Sequence, residues 1–196
     1  MIVIGLCGRA GAGKNAVATA LVRRHGFSEM AFADPIYSGL SAMCGIPVET
    51  LKNRATKELP IPWFGGVSPR RALQTLGTEW GRQMIADDLW VRLALRRLDE
   101  LRESGSPGAV VTDVRFDNEA SALREWATGM AQVWQVCRQS APIIEAGAAA
   151  HSSEAGISAT AIDAVIHNDG TLQTLAEEVS RLLGRQYRAI GGCCRV

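Results

Sequence analysis

The segment Gly8-Arg9-Ala10-Gly11-Ala12-Gly13-Lys14 restricts the fold of this chain more than any other feature. A short apolar run, Ile2 to Cys7, leads into it, and a helix-compatible segment, Ala16 to Arg24, leads out. Strand, glycine-rich turn and helix in that order, with the spacing G-x-x-x-x-G-K, is the setting of a phosphate-binding loop. Glycines allow successive backbone N–H groups to turn inward around phosphate oxygens. The helix that opens there directs its positive dipole end at the same anion. The expected ATP-phosphate contacts are Gly8, Ala10, Gly11, Ala12, Gly13, Lys14, Asn15 and Ala16, with Lys14 reaching the outer phosphates as a mobile point charge. Asn15 stands where Ser or Thr is usual. That leaves the backbone cradle intact, but it replaces a hydroxyl with an amide oxygen that binds Mg²⁺ directly or through a water.

Such a loop belongs on a parallel sheet, and the remaining pattern agrees. The spacing predicts strands at Phe27–Ala33, Ala109–Asp113, Ala131–Cys137 and Ile162–His167, alternating with helices, so five parallel strands are expected with the loop strand central. Asp34 follows the second strand and precedes Pro35, which suits a first helical position. It reads either as an N-cap or as a site residue, because ligands of open parallel sheets bind outside the carboxyl ends of the strands. Asp113, at the end of another strand, is placed to hold Mg²⁺ or its waters, and Arg115 beside it is a bidentate donor.

Between these strands lies an irregular stretch, Glu49 to Val67, with Lys52, Arg54, Lys57, Trp63 and Phe64. Trp63 and Phe64 either flank a nucleobase or pin the loop down. Ser68-Pro69 then opens a helix whose predicted apolar stripe is Leu73, Leu76, Trp80 and Met84. Arg70, Gln74, Gly77 and Gly81 share another face, and two helical glycines on one line imply a close approach by a ligand or another backbone. Asp87-Asp88 caps a structural helix with the stripe Val91, Ala94, Leu95, Leu98 and Leu101. Gln139 to Ser158 reads as a cover loop or as a plain surface loop, and the tail from Gly184 as loosely ordered.

The bulk composition narrows the function classes. With 21 Lys and Arg against 20 Asp and Glu, the net charge of +1 argues against a nucleic-acid wrap or a membrane surface. No apolar run approaches the ~20 residues of a membrane span. The five cysteines lack metal-ligand spacing and read as reduced thiols of an intracellular protein. A strand running straight into the loop leaves no place for a signal peptide, so the cytoplasm is expected (a host's cytoplasm, were the chain phage-encoded). One domain, residues 1–196, is expected, with an excursion at about 35–85 and a lid at about 139–158. The oligomeric state is open, and a homodimer is compatible with the sequence.

Taken together, these residues resemble the deoxynucleoside monophosphate kinases of tailed bacteriophages. The phosphate loop carries part of the resemblance. So do Arg70-Arg71-Ala72-Leu73-Gln74-Thr75-Leu76-Gly77-Thr78, Asp113-Val114-Arg115 with Glu119, Arg138, His151-x-x-Glu154-Ala155-Gly156, and Asn168-Asp169-Gly170. The resemblance implies a three-layer α/β phosphate-loop kinase fold with a central five-stranded parallel sheet and a short lid loop. It also implies transfer of the ATP γ-phosphoryl group to deoxynucleoside monophosphates, giving the diphosphate and ADP, with Mg²⁺. Lys14 and the loop amides then hold ATP, Arg138 acts from the lid, and Asn168 and Gly170 line the adenine. Arg70, Gln74 and Arg115 hold the acceptor, with Asp34, Trp63, His151 and Glu154 on the same side, and Asn15 and Asp113 meet the metal. Lys14, Asp34, Arg115 and Arg138 are the expected catalytic set. Asp34 is not an obligatory base, since a phosphate monoester is already largely ionised at neutral pH. The family often has Asp and then Thr after the loop lysine, where this chain has Asn15 and Ala16. The alternatives are a kinase for another small acceptor, such as dephospho-coenzyme A, and a nucleotide-binding switch.

Overall fold

A computed structural model describes residues 1–53, 55–139, 157–189 and 191. The chain divides into two compact units, Met1–Ala31 with Leu95–Val196, and Phe32–Ala94.

The first unit is built on a five-stranded parallel sheet of order β2-β3-β1-β4-β5. Its strands are β1 (Ile2–Cys7), β2 (Ser28–Met30), β3 (Gly108–Val111), β4 (Ala131–Cys137) and β5 (Ala164–His167). β1 is fully buried, as a central strand covered on both faces must be, so it reads as a continuous apolar run. Its alternate residues serve opposite faces. Ile2, Ile4 and Leu6 join the core formed with α1 (Lys14–His25) and α7 (Leu172–Ala189). Gly5 points the other way, where a Cβ would come within 3.3 Å of Leu123 in α6 (Asp117–Ala127). The helices therefore cover both faces of the sheet, the three-layer α/β architecture expected of a phosphate-loop kinase.

Several boundaries differ from the sequence-based expectation. The second strand is only Ser28–Met30, and Asp34 is already inside the first turn of α2 (Asp34–Cys44), where a carboxylate favours the helix dipole. The third strand stops at Val111, so Asp113 sits in the turn that follows rather than on the strand. The last strand starts at Ala164, after a short 3₁₀ turn at Ala159–Ala161. α7 runs on to Ala189, past the Gly184 that suggested a stop, because Leu183 and Gln186 are buried at 1% and 2% exposure. The Gln186 side chain donates to the Met130 carbonyl, which ties the end of the helix to the segment before β4.

The second unit holds α2, the short α3 (Val48–Lys52), a 3₁₀ turn at Pro62–Phe64 and α4 (Pro69–Gln74). Leu40, Cys44, Leu51, Ile61 and Ala72 form its core. Ser68 caps α4 as expected, its hydroxyl accepting the Arg71 N–H. Beyond Gln74 the helix does not continue as an α-helix. Thr75–Ile85 is π-helical, with wider i→i+5 turns. A stripe drawn at i+3/i+4 spacing drifts off the buried side in such a segment, which is why Trp80 and Met84 are 44% and 74% exposed. Side chains make the close approach at the helical glycines, and Ile36 lies 3.2 Å from where a Gly77 Cβ would stand. The Trp90 indole lies where a Gly81 Cβ would project, 2.4 Å from the nearest ring atom, and its N–H donates to the Gly77 carbonyl at 2.7 Å. Trp90 belongs to α5 (Leu89–Glu103), where Val91, Ala94, Leu98 and Leu101 of the predicted stripe are buried and Leu95 is half-buried.

Candidate active site

The phosphate loop leaves the carboxyl end of β1, the middle strand, and enters α1 at Lys14. Three of its residues have positive φ: Gly8 at 128°, Gly11 at 85° and Gly13 at 103°. Positions of this kind turn the backbone N–H groups to one side and make an anion-binding concavity. Two of these glycines are required by their surroundings as well. A Cβ on Gly8 would sit 2.3 Å from the Val136 carbonyl oxygen, and one on Gly13 would sit 2.0 Å from the Asn168 amide nitrogen. The Lys14 ammonium curls over the loop and donates to the carbonyls of Gly8 at 2.6 Å and Arg9 at 3.0 Å. A phosphate is a stronger partner for an ammonium than neutral carbonyls are, so this lysine is held ready for an anion.

Asn168 was expected beside adenine. Its side chain turns inward, is buried, and donates to the Ala12 carbonyl at 2.9 Å, while its backbone N–H bonds the Cys137 carbonyl at 2.8 Å. The residue thus ties the phosphate loop to the ends of β4 and β5. Its neighbour Asp169 accepts the Gln139 N–H at 2.8 Å, which fixes the backbone immediately after Arg138. Gly170 is exposed and borders an open groove of about 310 Å³ with His167 and Thr174.

Beyond β3, Asp113 and Arg115 occupy the turn into α6. The turn is organised by Glu119, a carboxylate only 3% exposed, which accepts the N–H of Arg115 at 2.7 Å and of Phe116 at 3.2 Å. Both of these bonds go to main-chain N–H groups. They form the reaching-back half of a helix capping box, and they set where the exposed Arg115 side chain begins. Arg138, at the end of β4, is exposed as well. Burial pushes the Cys7 thiol up to about 11 despite the nearby Lys14, which removes it from any nucleophilic role at neutral pH.

Asp34, Trp63, Arg70 and Gln74 belong to the second unit. Asp34 pairs with Lys52 at 3.1 Å, and Arg70 meets Glu58 at 2.6 Å. Trp63 is 71% exposed, yet its indole N–H is anchored on the Cys44 carbonyl at 2.9 Å. Gln74 closes α4 where the π-helical winding begins. Sequence reasoning gave no role to Tyr37 or Trp90, both of which organise this unit. An aromatic residue inside an amphipathic helix carries no signal beyond core packing. His151, Glu154 and nearly all of the expected lid lie outside the described residues, as does Arg54.

Asn15 and Asp113 offer an amide and a carboxylate oxygen, hard donors of the kind Mg²⁺ prefers, so the donor chemistry fits that ion. Among the described residues no group of three or more His, Cys, Asp or Glu side chains forms a metal cluster. No helix among the described residues is long and apolar enough to cross a membrane.

Comparison with known proteins shows the family of the chain. The family described as deoxynucleotide monophosphate kinase matches residues 65–179, a stretch that starts after the phosphate loop and includes Arg70, Asp113, Arg115, Glu119 and Asn168. A putative deoxynucleotide monophosphate kinase of Acanthamoeba polyphaga mimivirus is 31% identical over 140 residues, covering 64% of this chain and 69% of that protein. The deoxynucleoside-5'-monophosphate kinase of Escherichia phage T5 is 27% identical over a 190-residue alignment, covering 63% and 72%. Among solved structures, an unliganded sugar kinase from Janibacter sp. HTCC2649 superposes with a TM-score of 0.51 at 15% identity over 94% of this chain and 95% of its own, a likeness of fold alone. The chain is a nucleotide kinase that belongs to the deoxynucleotide monophosphate kinase family.

Proposed function

We propose that the protein transfers the γ-phosphoryl group of ATP to deoxynucleoside monophosphates, forming the diphosphate and ADP. The observation that carries this reading is the loop with positive φ at Gly8, Gly11 and Gly13, crowned by Lys14, at the carboxyl end of the central strand. Its amides and the N-terminus of α1 suit the phosphates of ATP. The acceptor class is supported by the family and by the names of the viral relatives.

Transfer of this kind needs in-line positioning and compensation of charge on the migrating group, with little covalent help. Lys14 holds the outer phosphates of ATP. Arg115, fixed at its backbone by Glu119, and Arg138, fixed through Asp169, supply guanidinium charge to the group in transit. Arg70 and Gln74 receive the acceptor, Asp34 helps to orient it, and Trp63 offers an exposed aromatic face to the base. Asn15 and Asp113 are the residues that would hold Mg²⁺, which when bound neutralises phosphate charge.

Separate assays of the two substrates test the assignment. Lys14→Ala is expected to abolish nearly all acceptor-dependent ADP release while leaving the circular-dichroism spectrum unchanged. Arg70→Ala is expected to raise the acceptor's KM with little change in that of ATP. A raised ATP KM with an unchanged acceptor KM would mean that Arg70 serves the donor instead.

A further inference from the structure

The second unit holds a cation suited to an anionic ligand that lies outside residues 65–179, the stretch matched to the family. Lys57 follows α3 and is half-buried, and its ammonium donates to the Tyr37 hydroxyl at 3.1 Å, lying 5.8 Å from that ring's centroid. Among the described residues no carboxylate pairs with it, whereas Lys52 has Asp34 and Arg70 has Glu58. A partly desolvated ammonium whose nearest partner is a neutral phenol gains more from an anion than a fully hydrated one does. The backbone binds Lys57 to Arg70 directly, since the Arg70 N–H donates to the Lys57 carbonyl at 3.0 Å. The two cationic side chains therefore leave the chain from adjacent, hydrogen-bonded residues. Lys52 completes the surroundings, its ammonium 5.1 Å from the centroid of the same tyrosine ring and its charge already balanced by Asp34.

We infer that Lys57 and Arg70 together form the phosphate subsite for the acceptor, with Tyr37 aiming the Lys57 ammonium. The ligand class is a phosphate monoester dianion. The geometry suits a dianion better than a single charge. Arg70 in this state meets Glu58, whose side chain is 62% exposed and so exchanges readily for an incoming phosphate. Lys57 has no carboxylate to exchange and supplies the second positive charge. The guanidinium gives planar, directional donors and the ammonium a compact point charge, a pairing suited to the several oxygens of a phosphate. This inference rests on the kinase reading above and deepens it, by adding Lys57 as a binding residue and Tyr37 as a positioning residue.

Direct binding to the full chain, measured by calorimetry, tests it without depending on turnover. The probes are the four common deoxynucleoside monophosphates and, separately, a non-hydrolysable ATP analogue. Lys57→Met keeps the stem that packs near Tyr37 and removes the charge. It is expected to weaken monophosphate binding about tenfold or more, with ATP-analogue binding unchanged within about twofold. Lys57→Arg is expected to recover most of the loss, and the unphosphorylated deoxynucleosides are expected to bind Lys57→Met and the unaltered chain equally. The ATP-analogue affinity reports whether each variant is folded. If the unaltered chain binds the monophosphates and Lys57→Met binds them equally well, the subsite is wrong and the kinase reading stands. If the unaltered chain binds none of them, the kinase reading fails and takes this inference with it.

Discussion

Asn168 and Gly13 lie against each other so closely that their substitutions should not be independent. The Asn168 amide nitrogen is 2.9 Å from the Ala12 carbonyl oxygen and 2.0 Å from where a Gly13 Cβ would stand. Asn168→Ala leaves a buried carbonyl without its donor, which costs about 1–3 kcal/mol. Gly13→Ala carries the cost of a side chain at φ 103°, about 1–2 kcal/mol. It also drives the Asn168 amide off Ala12, which forfeits the same hydrogen bond. In the double variant the hydrogen bond is lost once, and Gly13→Ala adds only the backbone strain. The sum of the single losses should therefore exceed the loss in the double variant by about 1–3 kcal/mol, the value of one hydrogen bond counted twice. Urea unfolding of the four proteins, followed by far-ultraviolet circular dichroism, measures this. Additivity within about 0.5 kcal/mol would refute the idea that Asn168 braces the phosphate loop.

Two further outcomes follow from the same geometry. Glu119→Ala removes the acceptor of the Arg115 and Phe116 N–H groups and should lower kcat much more than Glu119→Gln, which keeps one acceptor oxygen; equal loss in both would show that the carboxylate charge, not the backbone bonds, matters. His25, beside Ser180 at 2.9 Å, has its pKa lowered from 6.5, first by burial and then by Arg24, so the unfolded chain takes up its proton first as pH falls. The stability contributed by neutral His25 should thus be present above the ordinary value and decline as pH drops from about 6.5 through the lowered value, and His25→Gln should flatten that slope.

What could be read from the sequence was what depends on local chemistry. The phosphate loop is legible because positive φ at Gly8, Gly11 and Gly13 demands glycine, and the sequence displays it. β4 is legible to the residue, since Thr128-Gly129 ends the preceding helix and Arg138 ends the apolar run. Partnerships between distant segments are not legible in this way. Nothing near Gly81 announces that Trp90 fills the space above it, and nothing near Gly13 announces Asn168. The π-helical winding of Thr75–Ile85 also escapes a periodicity argument, because the argument presupposes the α-helical turn. Glu119 shows a subtler case. Its place after Arg115 was visible as a pattern, but only the hydrogen bonds reveal that it holds the arginine's backbone. Lys57 was visible only as one charge in an irregular basic stretch, and its tie to Arg70 through the main chain needed the fold.

The central claim is acceptor-dependent phosphoryl transfer, and the most direct measurement is ADP release from MgATP in the presence of each common deoxy- and ribonucleoside monophosphate. The account predicts strong stimulation by deoxynucleoside monophosphates, abolished by Lys14→Ala. ATP bound normally with no stimulation by any monophosphate would contradict it.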